Sequence, residues 1–270
     1  MSQTNCLTEV LFYEALARAA YLDKYQAEHD GKVVGPLHGL PISLKDQFPT
    51  PPHPSSLGIA MLATIPTKSE MPLLTILRDM GAVFYVKTNV PTALMVMETK
   101  NNIYGETLNP LNTDLSPGGS SGGEGALIAM KGSPLGLGTE TGGSTRHPAA
   151  WTHLYALKPS TGRIPIWGLS DRPFSTLVLS TVVPIARSLE TIKVFYQAFL
   201  SQEVAPWLKD PSCLPIPWKG EVAIQPAGRK LRLGITGVSD GLVTVHPPVE
   251  RALRMTRRAL EHAGHEVIDW

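Results

Sequence analysis

Residues 116–127 read Ser-Pro-Gly-Gly-Ser-Ser-Gly-Gly-Glu-Gly-Ala-Leu, in which two pairs of glycines enclose two serines ahead of an apolar run. A second serine, Ser144, directly follows another pair, Gly142 and Gly143. Glycine lets a backbone approach other groups closely and adopt conformations that side chains forbid. The pattern therefore indicates two loops in which the main chain packs closely around a serine. The first of these loops leads into a helix.

Glycine-rich loops commonly bind phosphate or stabilise a negatively charged oxygen. A phosphate-binding loop needs Gly-Lys-Ser/Thr after four spacer residues, and no lysine follows these glycines in that register. A dinucleotide fingerprint needs GxGxxG, whereas the glycines of residues 136–142 are one residue too far apart. An oxyanion hole, formed by successive backbone N–H groups, fits better. We therefore assign Thr141, Gly142 and Gly143 to oxyanion or substrate binding.

Helix and strand patterns alternate on both sides of these loops, which predicts a layered α/β protein. Helices are predicted from Leu7 to about Glu28, at Leu73–Met80, after Ser121, at Leu189–Leu200 and at Val249–Ala263, the last ended by Gly264. Strands are predicted at Gly39–Leu44, Ala82–Lys87, Leu177–Ile185, Leu231–Thr236 and His265–Asp269. We expect one domain over residues 1–270, with the Pro- and Trp-rich residues 205–228 as a surface excursion within it.

The composition excludes several classes of protein. Of the 270 residues, 43% are apolar and 17% are charged, and the net charge of +1 argues against a nucleic-acid partner. Cys6 and Cys213 lie far apart, which predicts reduced thiols rather than a disulfide framework, and the histidines show no metal-ligand spacing. We find no signal peptide and no apolar stretch of membrane-spanning length. A soluble, cytoplasmic protein without a bound metal is expected.

A nucleophilic serine needs a base within hydrogen-bond reach. Residues 118–122 match the GxSxG elbow of α/β-hydrolases, whose base is a histidine. That elbow requires a strand immediately before the serine, whereas residues 111–117 are polar and end in proline. The hydrolase elbow is therefore disfavoured.

Three segments in a fixed order carry a more specific signal. Residues 35–46 read Gly-Pro-Leu-His-Gly-Leu-Pro-Ile-Ser-Leu-Lys-Asp, residues 116–127 follow, and residues 138–146 read Gly-Thr-Glu-Thr-Gly-Gly-Ser-Thr-Arg. Together they resemble the amidase-signature family, most closely its fungal-acetamidase-like and fatty-amide-hydrolase-like members. The resemblance covers nearly the whole chain. It implies an α/β fold with a mixed central sheet flanked by helices.

The same resemblance implies a Lys-Ser-Ser triad of Lys45, Ser120 and Ser144, with Ser144 as nucleophile and Ser120 on a cis peptide bond. A free lysine, with a pKa of about 10.4, is mostly protonated at pH 7 and acts as a base only where burial disfavours its charge. The apolar strand before Lys45 predicts such burial. The family also places an acyl pocket after the turn of residues 88–91, which assigns Leu94 and Met95 to substrate binding. The implied reaction is hydrolysis of a small-molecule amide without a cofactor.

Neighbouring residues have plainer interpretations. Ser121 is expected to cap a backbone group with its hydroxyl rather than to act as a catalyst. Glu124 is expected to be an ordinary residue of the first helical turn, where the helix dipole favours a carboxylate. Arg146 is expected to anchor Glu140 rather than to bind substrate.

The chain also departs from the family pattern. It has roughly half the usual length, which predicts truncation at both ends and a sheet incomplete on its C-terminal side. Four residues beyond Ser144 are unusual for the family: Thr145, His147, His153 and Ala156, the last two standing where glycine is usual. The alternative function is therefore a catalytically impaired, truncated relative, acting as a binding module or representing a gene-model fragment. An amidase subunit of a transfer-RNA complex is disfavoured by the charge, and a homo-oligomer stays open.

Overall fold

A computed structural model of the chain describes residues 3–169, 178–219, 229–236 and 243–270. Contacts divide the chain into two compact units, Met1–Trp218 and Lys219–Trp270. The predicted single domain stays a prediction, and the part of the predicted surface excursion at residues 220–228 lies outside the described residues. Within the described ranges, every helix is too short or too polar to cross a bilayer.

The first unit is built on a mixed six-stranded sheet. Its strands are β1 (Leu7–Val10), β2 (Pro41–Lys45), β3 (Val83–Thr88), β6 (Leu135–Glu140), β7 (Tyr155–Ala156) and β8 (Thr181–Ala186), in the spatial order β1-β3-β2-β6-β8-β7. The central pairs β3/β2 and β2/β6 are parallel, and the outer pairs are antiparallel. A separate short hairpin consists of β4 (Lys100–Asn101) and β5 (Gly105–Glu106). The predicted mixed sheet is confirmed.

Helices pack against this sheet: α1 (Phe12–Glu28), α2 (Pro72–Asp79), α3 (Gly122–Ala129), α4 (Arg146–Trp151) and α5 (Leu189–Phe199). Side chains alternate between the two faces of a strand. On β2, Ile42 and Leu44 enter the main apolar core together with residues of α2 and α5. Ser43 and Lys45 point to the opposite face, where they contact α3 and the loop before it. The alternation of β2 therefore places its apolar side chains in the core on one face of the sheet and its polar side chains against α3 and the Ser120 loop on the other.

The predicted helix from Leu7 is wrong at its start. Residues 7–10 form β1 and pair antiparallel with β3, with Leu7 opposite Thr88 and Val10 opposite Val86. The helix begins only at Phe12. The spacing of Leu7, Val10 and Leu11 fits a helix. The long-range pairing with β3 overrides it, which is a tertiary effect that local propensity does not contain.

The second unit is a β-α-β element of β9 (Arg232–Ile235), α6 (Pro247–His262) and β10 (Glu266–Asp269). Its two strands are parallel, with Glu266 opposite Arg232. Gly264 follows α6 with a left-handed φ of 81°, which confirms the predicted glycine end of this helix. Among the described residues of this unit, none is buried.

Candidate active site

Lys45 ends β2 with its side chain fully buried. Its Nζ lies 2.8 Å from Ser120 Oγ, 2.8 Å from Thr139 Oγ1 and 3.4 Å from the carbonyl oxygen of Thr139. The Thr139 hydroxyl in turn donates to Oε1 of Gln47, a second buried side chain. That hydroxyl has one proton, so it accepts a hydrogen bond from Lys45. The predicted burial of Lys45 is confirmed, and sequence reasoning missed Thr139 and Gln47.

Ser120 lies just before α3, and the Gly119–Ser120 peptide is cis, as the resemblance implied. The loop packs tightly: a Cβ built on Gly119 would lie 2.8 Å from the carbonyl oxygen of Val96. Only glycine fits at such a distance. The glycines of residues 116–127 thus allow the close backbone approach that the sequence indicated.

Ser144 lies in the loop between β6 and α4, and its carbonyl oxygen accepts a hydrogen bond from the N–H of Ser121 at 2.9 Å. This bond joins the two serine-bearing loops through their main chains. Ser121 precedes α3, but its side chain does not cap the helix; its Oγ faces the Thr139 carbonyl at 3.5 Å. Its hydroxyl therefore bonds a backbone carbonyl, as the sequence predicted, rather than an N–H group of the helix.

Glu140, at the end of β6, organises the loop that carries Ser144. Its buried carboxylate accepts hydrogen bonds from the N–H groups of Gly143, Thr145 and Arg146 at 2.9, 3.2 and 3.1 Å. Arg146 also binds it through the guanidinium, with Nη2 2.5 Å from Oε1, which confirms the predicted anchor. Burial alone raises the pKa of Glu140, but the hydrogen bonds from Arg146 and Gly143 bring that pKa below its ordinary value.

One predicted oxyanion donor is already engaged. Gly143 donates its N–H to Glu140, so this group does not face a developing oxyanion in the structure. His147 also packs against this glycine, because a Cβ on Gly143 would lie 2.2 Å from His147 Cε1. Among the described residues, none accepts a hydrogen bond from the N–H of Gly142 or Ser144. The assignment of Thr141, Gly142 and Gly143 to oxyanion binding stays a prediction, with Gly143 as the member whose N–H is engaged.

The predicted acyl-pocket residues lie near Ser120 in a segment with unusual backbone. Leu94 has a left-handed φ of 61°, and Met95 is 82% exposed. The backbone just beyond them packs on the Ser120 loop, since Val96 O and Glu98 N lie against Gly119. Contact with substrate by Leu94 and Met95 stays a prediction.

Glu124 lies in the first turn of α3 as expected, but it is fully buried rather than solvated at the helix end. Its carboxylate accepts hydrogen bonds from Ser43 Oγ at 2.6 Å and Thr88 Oγ1 at 2.9 Å. Burial raises the pKa of Glu124 to about 7, although both hydrogen bonds and the charge of Lys45 act in the lowering direction. Ser43 and Thr88, two uncharged polar residues of predicted buried strands or their ends, were the sequence signal for a buried polar partner.

Comparisons with known proteins identify the family of the chain. The family model described as Amidase matches residues 1–270. The chain is similar to Amidase 1 of Gibberella moniliformis, with 43% identity over 99% of this chain and 51% of the relative. It is also similar to an acetamidase of Emericella nidulans, with 44% identity over 99% of this chain and 49% of the relative.

The chain is also similar to solved structures of amide hydrolases. The chain is similar to a fatty acid amide hydrolase, with a TM-score of 0.91 and 40% identity over 99% of this chain and 46% of that one. A bacterial aryl acylamidase of the amidase-signature family gives a TM-score of 0.85 at 28% identity over 99% of this chain and 54% of that one. The chain spans about half the length of the relatives it matches. By its family match, its relatives and its fold, the chain belongs to the amidase-signature family.

Proposed function

We propose that the protein hydrolyses a carboxylic amide through an acyl-enzyme on Ser144, with Ser120 as proton relay and Lys45 as base. The observation that carries this proposal is the 2.8 Å contact between Lys45 Nζ and Ser120 Oγ on a fully buried lysine. Burial disfavours the ammonium form, and a serine nucleophile needs an uncharged base. The relatives named amidase and acetamidase support the same reaction class.

The contacts of Lys45 also favour one orientation of its amine. An uncharged amine has two N–H groups and one lone pair. The Thr139 carbonyl can only accept, and the Thr139 hydroxyl, which donates to Gln47, accepts as well. Thr139 can therefore take both N–H groups, which leaves the lone pair for the proton of Ser120. In this proposal Thr139 is a positioning residue.

The reaction follows from this arrangement. Ser144 Oγ attacks the amide carbonyl carbon as its proton passes to Ser120, whose own proton passes to Lys45. The C–N bond then breaks as the same protons return and protonate the leaving amine. Water attacks the resulting ester along the same relay and releases the acid. The free enzyme is restored with no change in its proton count and no cofactor.

The oxyanion formed in each step needs backbone donors. We assign Thr141, Gly142 and Ser144 to this role, because the Gly143 N–H is directed to Glu140. Leu94 and Met95 would give the acyl side an apolar wall, which favours small or hydrophobic acyl groups. The buried free thiols Cys6 and Cys213 fit the cytoplasmic location predicted from the sequence.

The test is covalent labelling with a fluorophosphonate, read by intact mass. The parent chain is expected to gain one adduct that is absent in Ser144→Ala and slowed in Lys45→Ala. Two adjacent serines offer a matched pair: Ser120→Ala is expected to slow labelling strongly, and Ser121→Ala only slightly. Loss of label in Ser121→Ala but not in Ser120→Ala would contradict the assignment of the relay.

A folded chain that takes up no label would overturn the amidase mechanism for this chain. The result would favour the second candidate function, a catalytically impaired relative that binds rather than hydrolyses. The engaged N–H of Gly143 is the observation that favours this candidate. Binding of an unreactive amide by calorimetry, measured on the same preparation, would then separate a binding module from a chain without function.

A further inference from the structure

Glu124 and Lys45 lie on the same face of the sheet. Ser43 and Lys45 are two residues apart on β2, so their side chains point the same way. Ser43 donates to Glu124, and Lys45 contacts Ser120 just before α3. Thr88, which gives Glu124 its other hydrogen bond, is the partner of Lys45 in the register of β2 and β3. The carboxyl group and the amine therefore share one buried region beneath α3.

This region is closed around the carboxyl group. A Cβ built on Gly136 would lie 1.9 Å from Glu124 Oε2, so the backbone of β6 forms one wall. The side chain of Glu124 is fully buried. An ionised carboxylate has about four acceptor positions, and Ser43 and Thr88 fill two of them. The ionised form is therefore poorly solvated: the hydrogen bonds from Ser43 and Thr88 compensate it most, and a positive charge on Lys45 adds a smaller stabilisation.

Other titratable groups face Glu124 from the neighbouring elements. They are Cys6, which precedes β1, and Tyr85 of β3. Burial raises the pKa of Cys6 and raises that of Tyr85 to about 12, so both groups are uncharged near neutral pH. Among the described residues that interact with Glu124, Lys45 is therefore the group whose charge can respond to it.

We propose that Glu124 is a positioning residue that sets the charge of Lys45. An ionised Glu124 holds Lys45 in its protonated, inactive form, and an uncharged Glu124 lets Lys45 be the uncharged base. The proposal rests on the proposed function, because it concerns the lysine of that relay. The two groups form one buried acid–base pair, in which a single proton is exchanged and no other reactant is needed.

The pair has a direct physical basis. A charge favours the opposite charge on a neighbour within about 4–6 Å and shifts its titration by about 1–3 pH units. Burial brings the pKa of Glu124 to about 7, so its charge changes in the range where an amide hydrolase works. A pair of this kind titrates as a unit rather than as two independent groups.

The experiment is the pH dependence of fluorophosphonate labelling between about pH 5 and 10, for the parent and Glu124→Gln. The amide of glutamine keeps the shape of the side chain and removes its charge. In the parent, the labelling rate is expected to rise with pH as Lys45 loses its proton; this rise is the rising limb of the profile. In Glu124→Gln, the rising limb is expected to lie at lower pH by about one unit or more. Ser43→Ala removes one hydrogen bond to the ionised carboxylate and is expected to move the limb in the same direction by less. Ser121→Ala, which does not touch Glu124, is the control and should leave the limb in place.

A purely structural role for Glu124 would lower the rate at every pH without moving the limb, and that result would overturn the proposal. If Glu124→Gln does not fold, Ser43→Ala decides by the same criterion. A readout independent of activity is the free energy of unfolding against pH. Because the folded pKa of Glu124 is raised from 4.5 to about 7, its contribution is complete below pH 4.5 and lost as the pH rises to about 7.

This decline should be present in the parent and absent in Glu124→Gln. A parent chain that shows the decline but takes no label would contradict the proposed function while leaving Glu124 as a proton-binding residue. A parent chain that takes the label without the decline would leave the proposed function standing and contradict this inference.

Discussion

The carboxylate of Glu140 accepts a hydrogen bond from the N–H of Gly143 at 2.9 Å, next to the proposed nucleophile. The same carboxylate binds the N–H groups of the two residues that follow Ser144. One side chain thus fixes the main chain on both sides of Ser144. The shape of this loop depends on a charge at the end of β6 rather than on the serine itself.

Glu140→Gln is expected to destabilise the protein by about 1–3 kcal/mol, because one oxygen acceptor is replaced by an NH₂ donor that faces other N–H groups. The folded pKa of Glu140 lies below 4.5, so its contribution is present above pH 4.5 and lost as the pH falls through the folded value. Denaturant unfolding at pH 7 and pH 3 measures both effects. An equal loss at the two pH values would contradict the role of the charge, and Asp23→Asn, at an exposed carboxylate, is the control.

Thr139→Val is expected to slow fluorophosphonate labelling by about 10- to 100-fold, part of the 10²- to 10⁴-fold that a general base contributes. Valine keeps the volume but removes the hydroxyl that joins Lys45 to Gln47. Thr139→Ser keeps the hydroxyl and should restore most of the rate. Parental labelling by Thr139→Val would show that Lys45 needs no orientation from this residue.

His153→Gly is expected to stabilise the protein by about 1 kcal/mol. His153 has a left-handed φ of 60°, a conformation that costs a side-chain-bearing residue about 1–2 kcal/mol and costs glycine little. Ala156, the other position where the family has glycine, lies in β7 and needs no such freedom. Thermal unfolding should therefore show a higher Tm for His153→Gly and a lower one for Ala156→Gly. A lower Tm for both would mean that the His153 side chain outweighs its backbone strain.

Gly136→Ala is expected to destabilise the protein by about 1–3 kcal/mol, the usual range for an overpacked site. The added methyl group would lie 1.9 Å from Glu124 Oε2 and 2.7 Å from Ser43 Oγ. Gly142→Ala is the matched control, because a Cβ there meets nothing within 4 Å. Chemical denaturation should show a clearly lower free energy of unfolding for Gly136→Ala than for Gly142→Ala. Equal stabilities would show that the buried carboxyl group of Glu124 moves aside at little cost.

Parts of the site follow from the sequence because they lie in short motifs. The strand before Lys45, the glycines around Ser120 and the loop before Ser144 were each visible as local patterns, whereas the contact of Lys45 with Ser120, across 75 residues, was implied only by the family resemblance. The anchor between Arg146 and Glu140 spans only six residues. Contacts between residues so close in sequence are constrained by the local backbone geometry, so a local sequence pattern is enough to predict them.

The missed features depend on contacts between distant segments. Thr139 meets Lys45 across 94 residues of sequence, and Glu124 meets Ser43 across 81. Nothing local distinguishes Glu124 from a solvated carboxylate at a helix start. Its burial depends on which strands α3 covers. The start of β1 was missed for the same reason, since its partner, β3, begins at Val83.

The alternation along β2 has a consequence for errors in folding. A slip of one residue in its pairing with β6 would turn Leu44 toward the serines and drive the amine of Lys45 into the apolar cluster. The misaligned protein would lose its base and its tight core in the same event. A misregistered form would therefore be unstable, so the folded molecules should share one register, with Lys45 buried on the face of Ser120.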